Sequence, residues 1–273
     1  MKMKSIKITD KAKLYHGKSE NVIPELDNDS IDLTITSPPY NVDLGNNKFN
    51  DNPYDLYNDN KEHADYIAWM KDLFEKLYPK MKSGGRVCIN IGDGQNGRVP
   101  THSDIIHFMT HELNYIPMAN IIWNKSQIGN RFAWGSFASP SAPSFPKPFE
   151  YIMIFAKDNI KLQYKGETDL DPEEFKRWAF SVWNMTAETN MKKIGHPAMF
   201  PVDLPYRLIK MLSWTDATVL DIFNGAGTTG VACEKLGRKY IGIEMSQKYC
   251  DLTVKRINDT RSIIELDMFA GVK

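Results

Sequence analysis

Residues 31–40 read IDLTITSPPY. Ile31, Leu33 and Ile35 alternate with Asp32, Thr34 and Thr36, and an apolar period of two marks a half-buried strand. The strand runs directly into Ser37-Pro38-Pro39-Tyr40. Two prolines fix two backbone torsions and remove two amide donors, which predicts a stiff, exposed loop at the strand end. That loop carries a hydroxyl, a main-chain carbonyl held in place and an aromatic face. Such a set offers two acceptors to an amino group and a stacking platform to a flat ring. The same tetrapeptide can also do no more than turn the chain, so its meaning depends on what it faces.

A second strand end supplies the context. Residues 218–223 (TVLDIF) read as a strand, residues 224–230 (NGAGTTG) open a helix to about Leu236, and residues 239–244 (KYIGIE) form the next strand. Gly225-x-Gly227-x-x-Gly230, with Glu244 about 20 residues on, meets the dinucleotide fingerprint. Glycines let backbone approach a ligand, the helix N-terminus favours its negative group, and Glu244 can accept both ribose hydroxyls. Two ligands compete for such a loop. A nicotinamide cofactor would set its pyrophosphate against the Asp221 carboxylate. S-adenosylmethionine brings an ammonium for Asp221 and a carboxylate for the helix N-terminus. The Asp-x-Phe-x-Gly-x-Gly form, with only about one strand-helix unit beyond Glu244, favours the methyl donor.

Composition narrows the class. The chain has 273 residues, enough for one large α/β domain with a small insert. No apolar run approaches a membrane span, the N-terminus lacks the apolar core of a signal peptide, and cytoplasmic residence is expected. Cys88, Cys233 and Cys250 have no disulfide or metal-ligand spacing, and no metal is expected. The absence of a Pro-Cys dipeptide argues against a thiolate attacking a pyrimidine and against a zinc deaminase. Formal net charge is +0, so affinity for a polyanion must come from local clusters of Lys and Arg.

Taken in order, residues 13–16 (KLYH) read as a strand and residues 20–26 as about two helical turns. Residues 41–60 lack periodicity and read as a long mobile loop beside the site. Residues 62–81 carry Tyr66, Met70, Phe74, Leu77 and Met81 on one helical face, stopped by Gly84-Gly85. A strand at 86–91, a helix at 103–113 and a strand at 118–123 follow. Residues 124–148, with Arg131, Trp134 and Phe137, read as a loop with exposed aromatics. Residues 151–156 (YIMIFA) read as a buried strand, and polar residues 157–193, with Lys176, Arg177, Trp178 and Trp183, as a small insert or plain solvated surface. Helices at 203–212 and 247–257 complete the chain, with a loose tail after them. Alternating strands and helices imply a mostly parallel sheet covered on both faces.

In this order the motifs resemble those of the amino-methylating DNA methyltransferases of the circularly permuted β group. Ser37, Pro38, Pro39 and Tyr40 resemble the family's catalytic motif. Asp221 to Gly227 resembles its methyl-donor loop, with Phe223, Asn224 and Gly225 inside it and Thr228 and Thr229 following. Glu244, beside Met245, is similar to the ribose acid. His196-Pro197 to Pro201 resembles the segment closing over the donor's methionine end, and residues 151–157 the strand before the target-recognition insert. The resemblance covers residues 13–257. It implies an α/β Rossmann-like methyltransferase sheet, circularly permuted, with a catalytic half at 1–156, a target-recognition insert at 157–193 and a donor-binding half at 194–273.

The cofactor so implied is S-adenosylmethionine and the substrate double-stranded DNA, with Arg131, Trp134, Lys176 and Arg177 as expected DNA contacts. A cognate restriction endonuclease and a homodimer are compatible partners. The flipped target base would stack on Tyr40 while Ser37 Oγ and the Pro38 carbonyl accept its amine hydrogens. Serine at the first motif position points to cytosine N4, since relatives acting on adenine N6, the alternative, usually carry Asp or Asn there. The rival classes are a nicotinamide oxidoreductase and an inactive nucleic-acid-binding module. One position departs from the family: Gly17-Lys18 stands where an acid commonly reads the donor's adenine amine. Lysine cannot accept that bond, which leaves Ser19 or backbone to do so.

Overall fold

A computed structural model describes residues 4–41, 55–56, 60–125, 135–189, 194–196 and 199–270. Most of the loop expected at 41–60 lies outside these residues, as do Arg131 and Trp134. In chain order the elements are β1 (Lys4–Lys7), β2 (Ala12–His16), α1 (Ser19–Val22), β3 (Ile31–Thr36), α2 (His63–Leu77), β4 (Met81–Ile91), α3 (Thr101–His107) and β5 (Ile116–Asn124). They continue with β6 (Phe149–Ala156), α4 (Pro172–Trp178), β7 (Val182–Asn184), α5 (Asp203–Leu212), β8 (Thr218–Asp221), α6 (Thr228–Leu236), β9 (Lys239–Glu244) and α7 (Gln247–Ala270).

The strands form one sheet in the order β1-β2-β9-β8-β3-β4-β6-β5-β7. Its centre, β2-β9-β8-β3-β4, is parallel, as alternation of strands and helices requires. The flank departs from that pattern: β6 runs antiparallel to both β4 and β5. The chain builds outward from β3 through β4 to that flank, then returns to lay β8 and β9 on the other side of β3. The strand order thus reverses between β3 and β8, where α/β sheets open a crevice at the carboxyl ends of their strands.

Helices cover both faces. Tyr66, Met70, Leu73, Phe74 and Leu77 of α2 are all buried against one face with Val22, Ile23 and Phe108. Burying each such side chain contributes about 2 kcal/mol, which outweighs the modest helix propensity of the aromatics. Leu204, Leu208 and Ile209 of α5 and Val231 and Ala232 of α6 fill the other face.

Several boundaries differ from the sequence reading. Helix α2 ends at Leu77, a tight turn holding Pro79 follows, and Met81 already begins β4, so Gly84 and Gly85 lie within a strand. The helix expected at 103–113 starts at Thr101 and widens into a π turn at Phe108–Glu112. The expected tail is helical to Ala270. Strand β3 is buried on both faces, not one. Its polar residues are satisfied internally: Asp32 accepts from Lys82 and from the Thr218 amide, and Thr36 donates to Asp221 at 2.8 Å.

Residues 157–189 do not stand off as a separate lobe. Val182–Asn184 pairs with β5 at the sheet edge, and Trp178 and Trp183 are buried in the second core. The two tryptophans of this polar stretch are not solvated surface but anchor the segment, with Trp183 Nε1 donating to the Trp178 carbonyl at 3.0 Å.

Candidate active site

Strand β3 ends at the centre of the sheet, so residues 37–40 emerge into the crevice. The loop is less exposed than two prolines suggest: Pro38 is buried and Ser37, Pro39 and Tyr40 are half-buried. The Tyr66 hydroxyl of α2 donates to the Pro39 carbonyl at 2.8 Å and pins the loop from below. Ser37 Oγ lies 3.1 Å from the Asn90 carbonyl and 3.2 Å from Tyr40 Oη. The Tyr40 hydroxyl donates to Glu150 Oε2 at 2.7 Å, and Asn90 Nδ2 donates to both Tyr40 Oη and Glu150 Oε2 at 2.8 Å. Lys125 pairs with the other oxygen of Glu150.

The loop after β8 is built differently. Gly225 and Gly227 adopt φ of +51° and +73°. A Cβ on Gly225 would fall 2.7 Å from His196 Nε2, and one on Gly227 would fall 2.6 Å from the Thr253 side chain. Only glycine fits either place. Asn224 locks the turn by donating to the Gly225 carbonyl and to Thr253 Oγ1, each at 2.8 Å, while Arg256 donates to the Ala226 carbonyl.

Asp221 sits beneath this loop, fully enclosed. Thr36 donates to one of its oxygens at 2.8 Å and Thr229 to the other at 2.7 Å, and the Phe223 amide adds a third bond. Burial nevertheless pushes its carboxyl up to about 6. Both oxygens are committed to the protein, so Asp221 shapes the loop more than it offers a free partner to an ammonium. Glu244, at the end of β9, accepts from the Gly225 amide and the Ser246 amide at 2.8 Å each. Burial raises it to about 7 against those bonds.

One cavity of about 480 Å³ joins the two loops. Ser37, Pro39 and Tyr40 line one end, and Phe223 to Ala226, Thr228, Glu244, Met245 and His196 line the other. Ser19 lies at the wall, its hydroxyl already donated to the Ile222 carbonyl, and Asp221 borders the floor. The His196 ring packs on Tyr249 with centroids 4.5 Å apart. The Thr229 hydroxyl is spent on Asp221. Lys176 and Arg177 lie exposed on α4 and are not among the cavity residues. Sequence reading missed Asn90, Lys125 and Glu150. Glu150 had a signal of its own, as the lone acid in an apolar strand.

The model of the N6/N4 DNA methylase family matches residues 31–255. The chain belongs to that family. Among the family's Type II methyltransferases, M.MjaI of Methanocaldococcus jannaschii is 30% identical, covering 97% of both chains. M.MjaVI of the same organism is 36% identical over 60% of this chain and 81% of its own. Among solved structures, the DNA methylase fold is shared with TTHA0409 of Thermus thermophilus complexed with S-adenosyl-L-methionine, at 25% identity and TM-score 0.69 over 90% of this chain and 93% of that one. The cytosine-N4-specific PvuII DNA methyltransferase shares the fold at TM-score 0.67 and 22% identity, over 93% of this chain and 92% of that one.

Proposed function

We propose that this S-adenosylmethionine-dependent DNA amino-methyltransferase acts on N4 of cytosine, flipped out of double-stranded DNA into the Ser37–Tyr40 end of the cavity. What carries the reading is that the first motif position is a serine, Ser37, and not Asp or Asn, in a setting that lets its hydroxyl accept. A hydroxyl accepts a hydrogen bond well only when its own proton is placed elsewhere. Here the Asn90 carbonyl at 3.1 Å and Tyr40 Oη at 3.2 Å offer that proton two places, which leaves Ser37 lone pairs for an amine.

The residues present fit the donor. A bare-backbone loop at Gly225 and Gly227, the start of α6 and the Glu244 carboxylate share one cavity with the catalytic loop. Bound there, S-adenosylmethionine supplies an electrophilic methyl group. Glu244 would accept ribose hydroxyls, and His196 would close the methionine end. Ser37 Oγ and the Pro38 carbonyl draw the amine lone pair out of conjugation and aim it, so acceleration comes from positioning and electrostatics. Residues 157–193, with Lys176 and Arg177, and the 124–148 loop, with Arg131 and Trp134, are assigned to DNA contact. A restriction-modification role with a cognate endonuclease fits the Type II relatives.

Digestion of methylated DNA to nucleosides followed by mass spectrometry tests the target. N4-methylcytosine is expected; N6-methyladenine without it overturns the cytosine assignment and leaves the family standing.

A further inference from the structure

The amine that is methylated starts with two hydrogens and ends with one, so a proton must leave the site. Ser37, the side chain assigned above to that amine, is a poor final holder of that proton. What lies behind Ser37 is an ordered chain. Glu150 is a carboxylate that can only accept, so the bond at 2.7 Å obliges Tyr40 to donate its hydroxyl proton to Oε2. Tyr40 Oη can then accept in turn, and Asn90 Nδ2 at 2.8 Å and Ser37 Oγ at 3.2 Å are both placed to donate to it. The Ser37 proton can turn between the Asn90 carbonyl at 3.1 Å and Tyr40 Oη at 3.2 Å, and once it is on the Tyr40 side every donor along the path points toward Glu150. Asn90, also bonded to Glu150 Oε2 at 2.8 Å, holds the phenol and the carboxylate in register. Lys125 binds the far oxygen of Glu150, and its side chain is 30% exposed where that of Glu150 is 10% exposed, which links the buried acid to solvent.

We propose that Ser37, Tyr40 and Glu150 form the proton exit of the methyl transfer, with Glu150 as terminal acceptor. The nitrogen lone pair forms the new N–CH3 bond while the pair of the breaking S–CH3 bond stays on sulfur. The amine proton passes to Ser37 Oγ, the Ser37 proton to Tyr40 Oη, and the Tyr40 proton to Glu150 Oε2. Each relay oxygen regains its starting valence, and the protein's only net change is one proton gained by Glu150. The transfer runs in step with methyl transfer, because the negative carboxylate stabilises positive charge as it develops on the amine. Tyr40 thus has two jobs, a ring for the base and a hydroxyl for the proton.

The inference rests on residues 37–40 being the site of methyl transfer, and it applies equally to cytosine N4 and adenine N6. The test is single-turnover incorporation of labelled methyl into unmethylated genomic DNA, in light and heavy water, with donor binding measured by calorimetry. Glu150→Gln and Tyr40→Phe are each expected to slow methylation about 100-fold with donor affinity retained. The double variant is expected to be no slower than the slower single, since one chain is broken once. The solvent deuterium isotope effect of the native protein should vanish in both. A Glu150→Gln rate within about threefold of native, losses that multiply in the double variant, or an isotope effect that persists would each overturn the relay. If Glu150→Gln loses donor binding, Tyr40→Phe decides alone, because it leaves the Lys125 and Asn90 contacts of Glu150 in place: a lost isotope effect supports the relay and a retained one refutes it. Full activity in Ser37→Ala would instead sink the underlying assignment of the loop, a separate result.

Discussion

The loops after β3 and β8 leave neighbouring strands of one sheet, yet they direct their polar groups in opposite ways. After β8 those groups turn inward. Asp221 is bound by Thr36 and Thr229, and Asn224 by Gly225, Thr253 and Tyr240. What the loop leaves to a ligand is bare backbone and the Glu244 carboxylate. After β3 the polar groups line the cavity and are extended by residues of β4 and β6, Asn90 and Glu150. On the reading proposed above, one loop is a mount for the donor and the other a reaction chain. Among the described residues the two are joined at Thr36 of β3, which donates to Asp221 and accepts from the Phe223 amide at 3.2 Å. A disturbance of the mount therefore reaches the chemistry.

The sharpest test of the division is Ser37→Ala. Methylation should fall by about 100-fold to 1,000-fold with donor affinity nearly unchanged, as for loss of a group acting on the transition state. Loss of donor binding in the folded variant would mean that the loops are not separable. Gly227→Ala should do the reverse. Its φ of +73° and the Thr253 contact would cost about 1–3 kcal/mol, read as weaker donor binding by calorimetry and a lower melting temperature.

Asp221→Ala probes the point of contact. It leaves the Thr36 and Thr229 hydroxyls without their acceptor in a buried place, a loss of about 1–3 kcal/mol. Donor affinity should fall, and because Thr36 loses its partner, turnover at saturating donor should fall as well. An effect confined to donor affinity would show that the strands transmit nothing.

Proton linkage gives a smaller, graded effect. Burial raises Glu244 to about 7 and Asp221 to about 6, above their ordinary carboxylate values of 4.5 and 3.8. A raised carboxyl binds more protons folded than unfolded, so its stabilising share is full below the ordinary value and is lost as pH rises through the raised one. The donor-free protein should thus lose stability from about pH 4 to about pH 7 through these two groups. Ribose hydroxyls donate best to the ionised Glu244, so donor affinity should run the other way and be about tenfold weaker at pH 6 than at pH 8. Glu244→Gln should flatten that dependence in calorimetric titrations.

The smallest effect is expected on α4, far from both loops in its chemistry. Lys176 is paired with Glu173 on an exposed helix face, each side chain 70% exposed. Replacing Lys176 and Arg177 with Ala should reduce the salt slope of DNA binding by about one per lost phosphate contact and leave donor binding untouched. An unchanged slope would return α4 to ordinary surface.

Much of the mount was readable from sequence, because its determinants are local. A strand, two glycines that no other residue can replace and an acid at the next strand end lie within about 25 residues, and backbone sterics tie each to its place. The reaction chain was half readable. Ser37 to Tyr40 announce themselves through two prolines, whereas Asn90, Lys125 and Glu150 are distant in sequence and meet only because β6 runs antiparallel beside β4 and brings its first residues to the carboxyl end of β3. The polar alternation of β3 suggested a wet face; tertiary packing buried it by giving Asp32, Thr34 and Thr36 partners of their own. Trp178 and Trp183, which composition offered as surface aromatics, went into the core because burying them contributes more than any exposed contact could return. Sequence by itself determined the strand ends, the glycine mount and the order of the motifs, all fixed by interactions between near neighbours. Tertiary structure alone decided which distant side chains stand behind Ser37 and Tyr40, since that depends on strand pairing and on the cost of leaving a buried polar group without a partner.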